Sequence, residues 1–362
     1  MRMKQTVLFF SILTVLLQVF SSCSSNQKHP APTPLLSPYS SDSEAESFVY
    51  RNSQSKIEKE IESDEERNEF DGYYQESIKG KIVGLALGGG GAKAAAEIGV
   101  LKVLEEAGVR PDIIVGSSMG AVVGGLYAAG YSAAQLENLL MTEEWLSLFD
   151  KDKIGPSVED EERTVFGVIR GESFENHLRD ALRRKRCINI EDTKKINHIA
   201  FACTATSIVA EYSLSAYNLK SGDMAKSMRA SMTYPAPIVG FDPVPMNGMM
   251  LVDGGMLNNL PVNVVKEMGA DIIIAVDLER DNKNELKLDF VIPKLGWLGN
   301  WLKSHPERPT HNINYNMADI KINPILKSYS ILSFNEEDYR RMIELGEDAA
   351  KDHWHKLVRI NK

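Results

Sequence analysis

Two short apolar runs, each ending in glycines and each followed by a helix-forming stretch, constrain this chain more than any other feature. The first, Ile82-Val83-Gly84-Leu85-Ala86-Leu87, runs into Gly88-Gly89-Gly90-Gly91 and then into Ala92 to Ala107. There Val100, Leu101, Leu104 and Ala107 share one face, and Gly108 stops the helix. The second, Asp112-Ile113-Ile114-Val115, runs into Gly116-Ser117-Ser118-Met119-Gly120 and a small-residue helix from Ala121 to Ala129. Runs of this length bounded by glycine read as buried parallel strands.

With 362 residues, 43% hydrophobic and 25% charged, the chain can bury a substantial core around such strands. Its formal net charge of -9 argues against nucleic acid as a partner, since that needs a concentrated basic face. Three cysteines, Cys23, Cys187 and Cys203, lie at no metal-ligand spacing, which argues against a cysteine-held metal and a disulfide scaffold; no metal and no cofactor is expected. Whether Cys187 and Cys203 pair is open, because pairing depends on their separation in the fold.

Glycines at a strand-to-helix junction let backbone N–H groups approach a negative oxygen, and the helix N-terminus adds partial positive charge. A dinucleotide loop would want a last glycine where this chain has alanine or lysine. A phosphate loop would want Gly-Lys-Ser/Thr, yet Lys93 stands between Ala92 and Ala94. An oxyanion hole needs only the donors, and a tight structural turn accounts for the glycines equally well. The second junction is more informative, because Gly116-Ser117-Ser118-Met119-Gly120 is a Gly-x-Ser-x-Gly turn between strand and helix that projects the Ser118 hydroxyl. Such a nucleophile needs a base. The late histidines fit poorly: His305 and His311 fall in a Pro-containing loop, and His353 and His355 in a charged terminal helix, Glu336 to Val358, so all four read as exposed. Two aspartates end apolar strands, Asp253 before Gly254-Gly255 and Asp277 after Ile272 to Val276. The pattern alone does not choose between them, and an ordinary Asp-Gly turn explains the first equally well.

The N-terminus reads as an address. Arg2 and Lys4 precede an apolar run from Val7 to Phe20, too short to span a bilayer, followed by Ser21-Ser22-Cys23. The placement of Cys23 resembles a bacterial lipobox, with Phe20 where leucine is usual. Residues 1–22 are then a signal peptide and Cys23 the lipidated new N-terminus, held at a membrane by its acyl chains. Ser24 in place of aspartate favours the outer membrane of a double-membrane cell envelope. Residues 23–80, rich in proline and serine and then acidic around 57–66, read as a disordered tether.

Four blocks in order, Gly88-Gly89-Gly90-Gly91-Ala92-Lys93, Gly116-Ser117-Ser118-Met119-Gly120, Ala230-Ser231 with Pro235, and Asp253-Gly254-Gly255 with Asn258-Asn259-Leu260-Pro261, resemble the patatin-like phospholipases. The resemblance covers 81–351 as the catalytic domain, with 352–362 as the end of a C-terminal helix. It implies a three-layer α/β/α sandwich with a mainly parallel sheet. It also implies Ser118 as nucleophile, Asp253 as base, Gly89, Gly90 and Gly91 as the oxyanion hole, and a structural role for Asp277. The family usually has Arg-Gly where this chain has Lys93-Ala94, and often His where it has Glu97. Lys93 and Glu97 stand four residues apart and are expected to pair near the site.

The implied activity is a carboxylic-ester hydrolase acting on phospholipid or another acyl-ester lipid through an acyl-serine. Each oxyanion donor in such sites is worth about 3 to 4 kcal/mol. The segment from Phe290 to Lys303, with Trp297 and Trp301 among aliphatics and lysines, reads equally as an interfacial patch or as a loop packed on the domain. A thioesterase or short-chain esterase would use the same residues. A lipid-binding lipoprotein without turnover is the rival from another class, and the altered glycine loop is its best argument.

Overall fold

The computed structural model describes residues 80–149, 171–210, 213–234, 243–280 and 310–360, all within one unit spanning Asn68–Lys362. Strand β1 (Val83–Leu87) is buried along its whole length. A 3₁₀ turn (Gly91–Ala94) leads from the glycine loop into helix α1 (Ala95–Glu106). Strand β2 (Ile113–Gly116) and helix α2 (Met119–Ala128) follow, and all ten residues of α2 are buried, which is why it is built of glycine, alanine and valine on every side. Next come α3 (Ala133–Leu140), α4 (Glu143–Ser147), α5 (Glu172–Arg184) and α6 (Ile190–Asn197). Strands β3 (Ala200–Ala210) and β4 (Ser213–Leu219), helix α7 (Met224–Met232), and strands β5 (Val244–Met246) and β6 (Met249–Asp253) form the middle of the unit. It closes with α8 (Val262–Glu267), β7 (Ile272–Val276), α9 (His311–Met317), β8 (Ile320–Ile322), α10 (Glu336–Lys351) and α11 (Trp354–Leu357).

The eight strands form one sheet in which β1 lies between β2 and β7, both parallel to it, with β8 parallel at the far edge of β7. Side chains alternate across the pleat. Val83, Leu85 and Leu87 point into a large core shared with α1, α2, α3, α7 and α10. Ala86, Ile113, Val115, Ala202, Ile273 and Ala275 point the other way, onto Val262, Val264 and Val265 of α8. Helices cover both faces, giving the expected three-layer α/β/α sandwich with a mainly parallel centre.

Strand β3 brings the two halves of the site together. Its first residues pair in parallel with β2, reaching Cys203 opposite Gly116. Its later residues pair antiparallel with β6, beginning with Ala205 opposite Asp253, while β4 takes the other edge. Because β2 runs with β3 and β6 runs against it, the carboxyl ends of β2 and β6 face each other along one edge. They are separated by two β3 residues, about 7 Å.

The terminal stretch 336–358 does not run as one helix. It breaks after α10, and α11 and a 3₁₀ turn (Val358–Ile360) bring Leu357 and Ile360 back onto the large core. The α10 helix crosses α1 closely, since a methyl on Gly346 would collide with the Ala96 carbonyl and one on Gly99 with the Ile343 carbonyl.

Candidate active site

Ser118 ends the turn between β2 and α2 with φ 53° and ψ −130°, a backbone conformation few residues with a side chain adopt and one that costs roughly 1–3 kcal/mol. The flanking glycines make the turn possible by close approach. A Cβ on Gly120 would sit 2.8 Å from the Leu87 carbonyl oxygen, and one on Gly116 would collide with Ala121. The strained turn is held from outside, because the Ser118 N–H donates to Ser231 Oγ of α7 at 3.0 Å. An ion-pair chain ties α7 to α5: Arg229 to Glu175 at 3.0 Å, Glu175 to Arg179 at 2.8 Å, and Arg179 to Asp223 at 2.8 Å.

The Ser118 hydroxyl donates to Asp253 Oδ2 at 2.7 Å across 135 residues of sequence. The facing ends of β2 and β6 bring the two residues within reach of each other once both strands pair with β3. Asp253 Oδ1 accepts from the Gly255 N–H at 2.7 Å, so the carboxylate is aimed by its own turn. Its backbone is fixed on both sides: the N–H donates to the Thr233 carbonyl at 2.8 Å, and the carbonyl accepts from Thr206 Oγ1 at 2.9 Å. Gly254 sits so tightly on Thr204 that a methyl there would collide with its carbonyl and hydroxyl oxygens. Ser118 is half-buried and Asp253 buried, so the open side of the pair is that of the hydroxyl.

The glycine loop divides into two parts. Gly88 and Gly89 are buried, and their N–H groups donate to the carbonyls of Val276 at 3.1 Å and Asn259 at 3.2 Å. Gly90 and Gly91 are partly exposed, and among the described residues neither N–H has a protein acceptor. Of the three expected donors, Gly89 is therefore engaged in holding the loop to Asn259. The N–H of Met119, first in α2, is likewise without a protein acceptor among the described residues.

Three expectations are corrected. Lys93 and Glu97 do not pair: Lys93 lies in the 3₁₀ turn rather than in α1, so a four-residue spacing does not stack the two side chains. Burial lowers the Lys93 ammonium from its ordinary value, against the opposing pull of Glu279. The Glu97 carboxyl is fully buried, neither oxygen has a hydrogen-bond partner among the described residues, and burial raises it well above the ordinary carboxylate value. His311 is not an exposed loop residue. It opens α9, and its Nε2 lies 2.9 Å from Asp277 Oδ2, where the buried carboxylate at the end of β7 draws it inward. His353 is half-buried rather than exposed, whereas His355 is exposed.

Asp277 caps the turn after β7, its Oδ1 accepting from the N–H groups of Glu279 at 2.9 Å and Arg280 at 3.3 Å. Cys187 and Cys203 are both free and buried, and burial pushes the Cys187 thiol up to about 11. Ser231 and Asn259 stand out in the sequence only as members of family-like blocks, with no signal for which group each would hold. Cys23, the tether, Pro235, His305 and the Phe290–Lys303 stretch lie outside the described residues.

Residues 85–266 match the family model described as patatin-like phospholipase. The patatin-like phospholipase domain-containing protein 6 of Mus musculus is 32% identical over 233 residues, 63% of this chain and 16% of that one. Domain-containing protein 7 of Rattus norvegicus is 29% identical over 248 residues, 67% of this chain and 17% of the other. The lysophospholipase nte1 of Emericella nidulans is 36% identical over 208 residues, 55% and 12%. The chain thus spans only a small part of these relatives' length. With the family match running from β1 through α8 and so containing both halves of the Ser118–Asp253 contact, the chain belongs to the patatin-like phospholipase family.

Proposed function

We propose that this protein is a lipid acyl hydrolase of the phospholipase A or lysophospholipase type, working through Ser118 and Asp253. The observation that carries the reading is the 2.7 Å hydrogen bond from the Ser118 hydroxyl to Asp253 Oδ2, with the glycine loop packed on the serine at Gly89, where a methyl would come within 2.7 Å of Ser118 Cβ. As Ser118 Oγ bonds to the ester carbonyl carbon, its proton passes to Asp253 and the carbonyl oxygen takes the negative charge. The amides of Gly90 and Gly91 stabilise that charge. The C–O bond to the alcohol portion then breaks, and the alcohol leaves with the proton held by Asp253. In the second half Asp253 takes a proton from water, whose oxygen bonds to the acyl carbon. The Ser118 ester bond breaks, Ser118 regains its proton and fatty acid departs.

The names of the relatives, phospholipase and lysophospholipase, support a lipid ester over a short-chain ester or thioester. The aimed hydroxyl and the available donors support turnover over binding alone. Fatty-acid release from mixed phospholipid vesicles by the full chain, beside Ser118→Ala and Asp253→Asn, tests the proposal. Loss of release in both folded variants supports it. Equal release by wild type and Ser118→Ala, or release only from water-soluble esters, overturns it.

The lipobox-like Ser21-Ser22-Cys23 supports a lipid anchor at Cys23 and a place at the bacterial cell envelope, with the outer membrane favoured by Ser24. Incorporation of an alkyne fatty acid that disappears in Cys23→Ser, together with membrane fractionation, tests both. Incorporation that persists in that variant removes the anchor from the proposal.

A further inference from the structure

Asn259 is the residue through which the base loop holds the oxyanion loop. It is almost fully buried, six residues beyond Asp253, and it contacts Gly89 at both of that residue's polar groups. Its carbonyl accepts from the Gly89 N–H at 3.2 Å, and its side-chain Nδ2 donates to the Gly89 carbonyl at 3.0 Å. The Gly89 carbonyl can only accept, so the side-chain orientation is set by the bond itself.

Peptide planarity carries this anchor one step further. The Gly89 carbonyl and the Gly90 N–H belong to one trans peptide unit, so they point in opposite directions and turn together. Anchoring the carbonyl on Asn259 therefore directs the Gly90 N–H to the side away from Asn259. Without the anchor, a run of four glycines has no side chain to stop that unit from rotating.

The surroundings leave Asn259 little freedom. Its Oδ1 lies where a methyl on either Gly89 or Gly255 would collide, and a methyl on Gly89 would also come within 2.7 Å of Ser118 Cβ. Gly255 is the residue whose N–H aims Asp253. The preceding Asn258 is fixed by Asn314 Nδ2 at 2.8 Å and by its own Nδ2 to Asn263 Oδ1 at 3.0 Å, while Asn314 also donates to the Leu260 carbonyl at 2.7 Å. The side chain before Asn259 and the carbonyl after it are thus both held by the buried Asn314 amide.

We infer that Asn259 is a positioning residue for the ester hydrolysis proposed above: its side-chain amide fixes the Gly89–Gly90 peptide so that the Gly90 N–H meets the developing oxyanion. The inference rests on that proposal for the chemistry, but it concerns one donor and not the substrate. Asn259→Asp is the sharpest variant, because it keeps the shape and replaces the donor with an acceptor facing the Gly89 carbonyl. Asn259→Ala removes the contact without repulsion.

The experiment compares wild type, Asn259→Asp, Asn259→Ala and Ser118→Ala in the full chain, each assayed below its own melting temperature. Two readouts are taken: kcat and KM on p-nitrophenyl butyrate, and the rate at which a fluorophosphonate labels Ser118 with loss of fluoride. Loss of one oxyanion donor predicts a fall of about 10²- to 10³-fold in kcat with KM within about threefold, and a parallel fall in labelling. Asn259 variants that keep wild-type kcat and labelling while Ser118→Ala loses both overturn the clamp alone. A loss carried by KM with kcat intact also overturns it. Wild-type labelling without phospholipid hydrolysis leaves the clamp supported or refuted by the labelling rates, while the lipid substrate falls.

Discussion

Two aspartates at the ends of strands consecutive in the chain have nearly the same local chemistry and opposite fates. Asp253 ends β6 and Asp277 follows β7, and both are buried, at 3% and 2% exposure. Each directs Oδ1 to the N–H two residues ahead, Gly255 at 2.7 Å and Glu279 at 2.9 Å. Their second oxygens differ: Asp253 Oδ2 meets the Ser118 hydroxyl, and Asp277 Oδ2 meets the His311 ring. What separates them is strand placement. The β6 strand shares an edge of β3 with β2 and ends facing it, whereas β7 lies on the far side of β1. A carboxylate at a strand end becomes a candidate base by what the sheet sets opposite it, not by its own turn.

The largest test of that contrast is chemical. Asp253→Asn and Ser118→Ala are each expected to lower fatty-acid release by about 10⁴-fold while circular dichroism stays native, because the amide oxygen that replaces Oδ1 in the first variant still accepts from the Gly255 N–H. Asp277→Asn is expected to leave release within about threefold and to lower unfolding free energy in urea by about 1–3 kcal/mol, since it weakens the buried contact to His311. A collapse of activity in Asp277→Asn without loss of stability would reverse the assignment.

Glu97 sharpens the comparison as a third buried carboxyl, with neither kind of partner among the described residues. Its raised proton affinity means the folded chain holds a proton that the unfolded chain releases. That contribution is complete below the ordinary carboxylate value of 4.5 and is lost as pH rises toward the raised folded value. The slope for one proton is at most about 1.4 kcal/mol per pH unit. Glu97→Gln cannot ionise, so its stability relative to wild type is expected to improve from pH 5 to pH 8 in denaturant titrations. A constant difference across that range would mean Glu97 finds a charge partner.

The smallest effect is expected at Ser231. Replacing it with alanine removes the acceptor of the Ser118 N–H and should cost about 1 kcal/mol in the same titrations, with water able to substitute at the half-buried turn. A larger loss would mean that α7 holds the strained turn against more than one bond.

What the sequence determined by itself lies within a few residues of chain. The apolar run before the glycines signals β1, the Gly-x-Ser-x-Gly pentapeptide signals the turn at Ser118, and Asp-Gly-Gly signals the turn that aims Asp253, because the residue types each needs lie within about five positions even where the contact that uses them, such as Gly120 against Leu87, is long-range. The choice of Asp253 over Asp277 entered through family resemblance, since nothing local distinguishes the two. Only the tertiary structure decided which aspartate faces Ser118 across 135 residues, that His311 turns inward to Asp277, and that Gly89 holds the loop while Gly90 and Gly91 remain available. It also parted Lys93 from Glu97, because a single 3₁₀ turn at the head of α1 changes where a four-residue spacing points. Each of these is a meeting of strand ends and loops whose partners are fixed by sheet order, and sheet order is not written in any one segment.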